Sequence, residues 1–159
     1  MRPLDPIDVA ILEALQADGR MALSALAKHV GLSGTACTER VRGLEAAGVI
    51  TGYTATLSAA AVGLGLTTFI EVSLERISRE TFDQFRAAVE AIPEIEECHM
   101  VAGGFDYLLK VRVPDMAAYR AFLGEALAQV PGIRQTHSYP VMEPIKQGGR
   151  IGLTHLTAI

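Results

Sequence analysis

The sequence predicts an α+β fold: three helices first, then elements in the order β-α-β-β-α-β. Three observations carry this. Residues 6–46 hold apolar side chains at spacings of three and four, with the pattern broken near Gly19 and Gly31. From residue 67 onward, short runs rich in β-branched residues alternate with two amphipathic helix patterns. IPEIEECHMV (92–101) and VPGIRQTHSYPV (130–141) share one form: helix end, proline, one residue, isoleucine, strand.

The first helix is expected from Pro6 to Ala17. Asp5 suits the N-cap and Pro6 the first helical position, where a missing N–H costs nothing. Ile7, Ala10, Ile11, Ala14 and Leu15 form its apolar stripe, and Asp18-Gly19 marks a turn. In the second helix Leu23, Leu26, Ala27 and Val30 face inward. Gly31 stops it, because glycine tolerates the left-handed conformation of a helix end. Leu32 plugs the turn. Ser33 caps a third helix, whose Ala36, Cys37, Val41 and Leu44 form a buried face. Its other face carries Gly34, Thr35, Thr38, Glu39 and Arg42, with Arg40 nearby. Gly48 ends this helix and Val49-Ile50 opens an extended segment. Residues 1–52 thus read as a winged-type helix-turn-helix domain, 53–66 as a linker strand, and 67–159 as a second domain.

In that second domain Thr67–Leu74 reads as a strand. Ser78 caps a helix carrying Phe82, Phe85, Val89 and Ile92. Strands follow at Ile95–Val101 and Tyr107–Val113, separated by Gly103-Gly104. Asp115 caps a helix with Met116, Tyr119, Phe122, Leu123 and Leu127, and Ile133–Met142 is the last strand. The order is that of a ferredoxin-like βαββαβ domain with two helices on one face of an antiparallel sheet. The other face needs a partner. Phe69, Val72, His99, Val101 and Val111 are candidates for it.

Small polar and basic groups on a capped helix suit the major groove, so double-stranded DNA is the expected partner. The charge balance bounds how. The 159-residue chain has a net charge of −4. Residues 1–52 hold five basic and six acidic side chains. With no basic footprint, affinity must come from local placement of Arg20, Lys28, Arg40 and Arg42, from helix N-termini and from several copies acting together. Arg40 has a second reading, lying sideways against an acid. No apolar run is long enough for a membrane span and the N-terminus lacks a signal-peptide core, so a cytoplasmic protein is expected. Cys37 and Cys98 form no metal or disulfide pattern and are expected to be buried thiols. The four histidines stand at no metal-ligand spacing, and no nucleotide-binding or hydrolase motif occurs. Neither a metal, a cofactor nor a catalytic group is expected.

LDPIDVAILEALQADGR (4–20), LAKHVGLSGTACTERVRGLEAAGVITGYTA (26–55) and IPEIEECHMVAGGFDYLLKVRVPDMAAYRAFL (92–123) together resemble the leucine-responsive regulatory protein/AsnC family of transcriptional regulators. The resemblance covers nearly the whole chain. It implies a C-terminal ligand-sensing domain, a homodimer assembling further to a tetramer or octamer, and a small effector, a free amino acid. The effector site it implies is the GGFDY segment, with Gly103, Gly104, Asp106 and Tyr107, and the facing strand at Thr136 and Ser138. Glycines let backbone N–H groups approach a carboxylate, and an aspartate can accept from an ammonium. A plain β-turn would also place Gly-Gly and Asp there. Three departures from the family pattern stand out. Gly104 replaces an acid, QGGRIGLTHL replaces a Thr-rich run, and Gly34 and Thr35 stand where serine is common. A rival from another class, an enzyme resembling sirohaem decarboxylases, would need haem-facing histidines, for which only His99 and His137 offer themselves.

Overall fold

The computed structural model describes residues 3–156. Two compact units form: residues up to Thr56 together with those from Lys146 onward, and Leu57–Ile145.

The first unit holds α1 (Pro6–Ala17), α2 (Leu23–His29) and α3 (Gly34–Ala46). α1 starts with a reciprocal cap. Asp8 N–H donates to Asp5 Oδ1 at 2.9 Å, and Asp5 N–H donates to Asp8 Oδ2 at 3.1 Å. α2 ends at Val30. Gly31 follows with φ 70°, and Leu32 N–H reaches back to Ala27 C=O at 2.9 Å. That bond turns the chain sharply and carries Leu32 toward the core, as the glycine predicted. The same device recurs after α3, where Gly48 has φ 69° and Val49 N–H bonds Leu44 C=O at 2.9 Å. Ile11, Leu12 and Ala14 pack against Leu26, Ala27, Cys37, Val41 and Leu44.

α1 buries more than its expected stripe, with Val9 and Leu12 inside as well. Leu23, expected to face inward, is 43% exposed, because it opens α2 before the helix reaches its neighbours. Residues 51–58 form neither a wing nor a linker strand. They make no ladder, a 3₁₀ turn occupies Ala60–Val62, and the first strand among the described residues begins at Leu66. A strand needs a hydrogen-bonded neighbour, and among the described residues this stretch has none.

The second unit holds β1 (Leu66–Leu74), α4 (Arg79–Glu90), β2 (Ile95–Met100), β3 (Tyr107–Val113), α5 (Met116–Glu125) and β4 (Ile133–Pro140). The sheet is antiparallel with order β2-β3-β1-β4. Ser78 Oγ and Asp115 Oδ1 cap α4 and α5 as expected. Period-2 alternation sets the two faces. Ile70, Val72 and Leu74 of β1 and Tyr107, Leu109, Val111 and Val113 of β3 are buried beneath the helices with Phe85, Val89, Tyr119 and Phe122. Val72 and Val111 therefore belong to the helix-covered core and not to the open face. Phe69 and His99 do lie on the open face, opposite Lys110 and Leu108 in the register. Met116, expected in the α5 stripe, is 55% exposed at the helix start. Cys98 is exposed, because β2 is an edge strand, whereas Cys37 is buried as expected. Among the described residues no helix is long and apolar enough to cross a membrane.

Candidate functional site

α3 is built for presentation. Ser33 Oγ accepts from Ala36 N–H at 3.2 Å, which fixes the start of the helix. Cys37, Val41 and Leu44 anchor its inner face. Ser33, Gly34, Thr35, Glu39 and Arg42 are exposed, and Thr38 is half-buried. Thr38 Oγ1 donates to Gly34 C=O at 2.8 Å, so its hydroxyl hydrogen is engaged within the helix. Thr35, Thr38, Glu39 and Arg42 recur at three- and four-residue spacing and share one face. Among the described residues Arg42 has no ion-pair partner.

Arg40 does not join that face. Its Nη1 donates to Asp5 Oδ2 at 2.6 Å and to Asp8 Oδ1 at 2.9 Å. The Asp8 side chain is fully buried. Its hydrogen bonds to Asp5, and then to Asp8, hold the guanidinium above its ordinary pKa. Of its two readings, the sideways one describes the structure. Arg40 ties α3 to the N-terminus of α1.

The effector candidates are only partly brought together. Gly103, Gly104 and Asp106 lie in the bend between β2 and β3, with both glycines exposed. A Cβ added to either glycine would meet nothing within 4 Å. Among the described residues, their N–H groups donate to no backbone carbonyl. Asp106 is braced three ways. Its N–H donates to Val72 C=O at 2.9 Å, its C=O accepts from Val101 N–H at 3.0 Å, and its Oδ2 accepts from Leu74 N–H at 2.7 Å. The carboxylate thus satisfies the last N–H of β1 on the side where β3 has not yet begun, and Oδ1 is left over. Thr136 pairs with Val72 from the other side of β1, so it lies about 10 Å, two strand spacings, from the loop. Tyr107 departs from the site. Its ring is buried and stacked on Phe85 at 4.3 Å. Ser138 also faces the helices, where its Oγ accepts from Tyr119 Oη at 2.6 Å. Burial holds both tyrosine hydroxyls above their ordinary pKa.

The open face of the sheet carries a charge lattice that the sequence pattern did not reveal. Lys110 Nζ lies 2.7 Å from Glu97 and 3.2 Å from Glu96. Arg112 pairs with Glu96, and His99 Nε2 stands 3.2 Å from Glu97. Hydrogen bonds from Arg112 to Glu96 and from Lys110 to Glu97 hold both carboxyls below the usual glutamate range. Glu96 and Glu97 are thus paired across strands. Phe69 and Leu108 lie beside this lattice.

Two family models match this division of the chain. The AsnC-type helix-turn-helix domain matches residues 4–45, and the Lrp/AsnC ligand binding domain matches residues 67–151. The chain belongs to the Lrp/AsnC family. It is a transcriptional regulator with a DNA-binding helix-turn-helix domain and a ligand-binding domain. Two curated relatives are named leucine-responsive regulatory protein. The Salmonella typhimurium protein is 52% identical over 150 residues, covering 94% of this chain and 92% of its own. The Escherichia coli K12 protein is 51% identical over the same shares. Among solved structures, a transcriptional regulator of Neisseria meningitidis in complex with L-methionine superposes with a TM-score of 0.91 at 37% identity, covering 96% of this chain and 99% of that one. Escherichia coli AsnC superposes with a TM-score of 0.85 at 26% identity, covering 94% and 99%. These relatives give the enzyme alternative no support.

For this Lrp/AsnC chain, sequence reasoning found the capped outer face of α3 and the Gly-Gly-x-Asp bend. It missed Asp8, whose burial follows from its place at the third helical position facing Arg40, and Gln16, whose partner lies 135 residues away. No local pattern signals the second.

Proposed function

We propose that the protein binds double-stranded DNA through α3 and that a free amino acid, held at the sheet unit, changes its assembly and thereby its DNA binding. Ser33, Gly34, Thr35, Thr38, Glu39 and Arg42 are the groups offered to the major groove, with Arg40 as the brace behind them. The observation that carries this reading is the exposed, unencumbered outer face of α3 in a unit that matches the AsnC-type helix-turn-helix. The effector reading rests on the bend at Gly103, Gly104 and Asp106. The two free glycine N–H groups suit a carboxylate and Asp106 Oδ1 suits an ammonium. Thr136 borders the same end of the sheet. Tyr107 and Ser138 shape it from the core side. That a related regulator is solved with L-methionine supports this class of ligand.

The assembly is a homodimer joined across the open sheet faces, building to a tetramer or octamer in the cytoplasm. Phe69, Leu108 and the paired charges of Lys110 and Arg112 suit a second copy. The near-neutral helical unit needs several copies for useful avidity on DNA. Thermal-shift screening against the twenty amino acids, followed by light scattering with the best binder, tests the effector reading. A stabilising amino acid that shifts the assembly supports it. No binding at millimolar concentration overturns it.

A further inference from the structure

Residues from Lys146 onward group with the helical unit. There one side chain grips one backbone residue twice. Ile151 N–H donates to Gln16 Oε1 at 2.7 Å, and Gln16 Nε2 donates to Ile151 C=O at 3.2 Å. The amide imitates the edge of a strand. Two residues on, Leu153 is half-buried against the helical core. The segment borders a cavity of about 530 Å³, which Ile151 and Leu153 line together with Leu4, Leu12, Leu15 and Tyr53. No α3 residue lines this cavity.

The seat is shallow. The Ile151 side chain is 74% exposed, so it is held by its backbone and not by burial. Gly148, Gly149 and Gly152 surround the grip, and Gly148 has φ 62°. Glycine makes release entropically favourable and makes the turn accessible. The Gln16 hydrogen bonds and the half-buried Leu153 and Leu156 hold the segment, and the flanking glycines favour its release. A coupling element needs such a balance.

We propose that residues 146–156 are a strap: a second chain connection by which the state of the sheet unit reaches the helix-turn-helix unit. This rests on the effector reading above. The chain passes between the two units twice, at Thr56–Leu57 and at Ile145–Lys146, where the strap begins. A ligand that favours the docked strap restricts the helical unit, and one that favours release frees it. Either way the sheet unit alters DNA affinity without touching α3.

The test uses the full chain in a Cys98→Ser background. Ala17→Cys with Arg150→Cys places thiols on either side of the Gln16–Ile151 grip, and a short bismaleimide is added. The strap predicts a bridged, monomer-sized species on a denaturing gel, strongly reduced when Gln16→Ala is added. A dimer-sized species, or no bridge, overturns it. The second arm measures how the best-binding amino acid changes DNA affinity. Gln16→Ala, and truncation after Gly149, should keep basal affinity within about threefold and remove most of an effect of at least about fivefold. If wild type responds and Gln16→Ala responds equally, the strap fails and the effector reading stands. If wild type responds to no amino acid, both fall.

Discussion

Arg40 Nη1 lies 2.9 Å from Oδ1 of the fully buried Asp8, and the same nitrogen bonds Asp5 at 2.6 Å. The two acids that cap α1 thereby also receive a cation from α3. A buried carboxylate gains from such a partner chiefly because losing it leaves a desolvated charge behind. The angle at which α3 leaves the unit is therefore fixed by an ion pair as well as by Cys37, Val41 and Leu44.

Arg40→Met should destabilise the helical unit by about 1.5–3 kcal/mol, the range for hydrogen bonds to charged groups, without changing the salt dependence of DNA binding by the folded protein. Arg40→Lys should recover part of the loss, since one nitrogen makes both contacts. Thermal denaturation together with DNA titrations at several salt concentrations checks this. A fully stable Arg40→Met protein with a shallower salt slope would instead make Arg40 a phosphate contact.

Asp106 Oδ2 accepts from Leu74 N–H, and in the proposed effector site its Oδ1 receives the ligand's ammonium. Asp106→Asn keeps a carbonyl for Leu74 and removes the charge. It should leave stability nearly unchanged and weaken amino-acid binding at least about tenfold, while basal DNA binding persists. Asp106→Ala loses the acceptor too and should cost about another 1–2 kcal/mol of stability. Calorimetric titration of both variants decides the matter. Normal amino-acid affinity in Asp106→Asn would reduce the residue to a turn brace.

The Glu96–Glu97–Lys110–Arg112 lattice gives the sheet unit a pH signature. Both glutamates titrate below their ordinary value. Their contribution is therefore fully present above the ordinary glutamate range and is lost as pH falls through the depressed values. Lys110 is shifted up, most by Glu97, so its share is present below the ordinary lysine range and lost as pH rises through the raised value. Each exposed pair is worth about 1 kcal/mol or less. Stability of the sheet unit measured from pH 7 to pH 3 should fall less steeply in Glu96→Gln, and an unchanged acid limb would contradict the lattice.

Much of this was legible because the signals are local. Asp5-Pro6, Gly31-Leu32-Ser33, Ser78 and Asp115 are caps whose chemistry acts within a few residues, and each lands where the sequence places it. Side-chain direction in the sheet needed the register, which is why Val72 and Val111 were candidates for the wrong face. Tyr107 and Ser138 illustrate the same limit at the proposed effector loop. They neighbour it in sequence or across the sheet, but alternation turns them toward Phe85 and Tyr119. Arg40 was ambiguous because residue 40 sits between the inner and outer faces of α3, and only the position of α1 decides. The Gln16–Ile151 grip joins the two ends of the chain and leaves no periodic trace.

If the outer face of α3 meets DNA as proposed, Arg42 is the side chain whose loss shows it. Duplexes selected from a random pool by the wild-type protein would be titrated by fluorescence anisotropy at several salt concentrations, with wild type and Arg42→Ala. If Arg42 meets a phosphate, the variant should bind all sequences more weakly, with a salt slope shallower by about one ion. If it meets a guanine, the loss should be about 1–3 kcal/mol and confined to one base position. A folded Arg42→Ala protein with wild-type affinity, selectivity and salt slope would contradict the account.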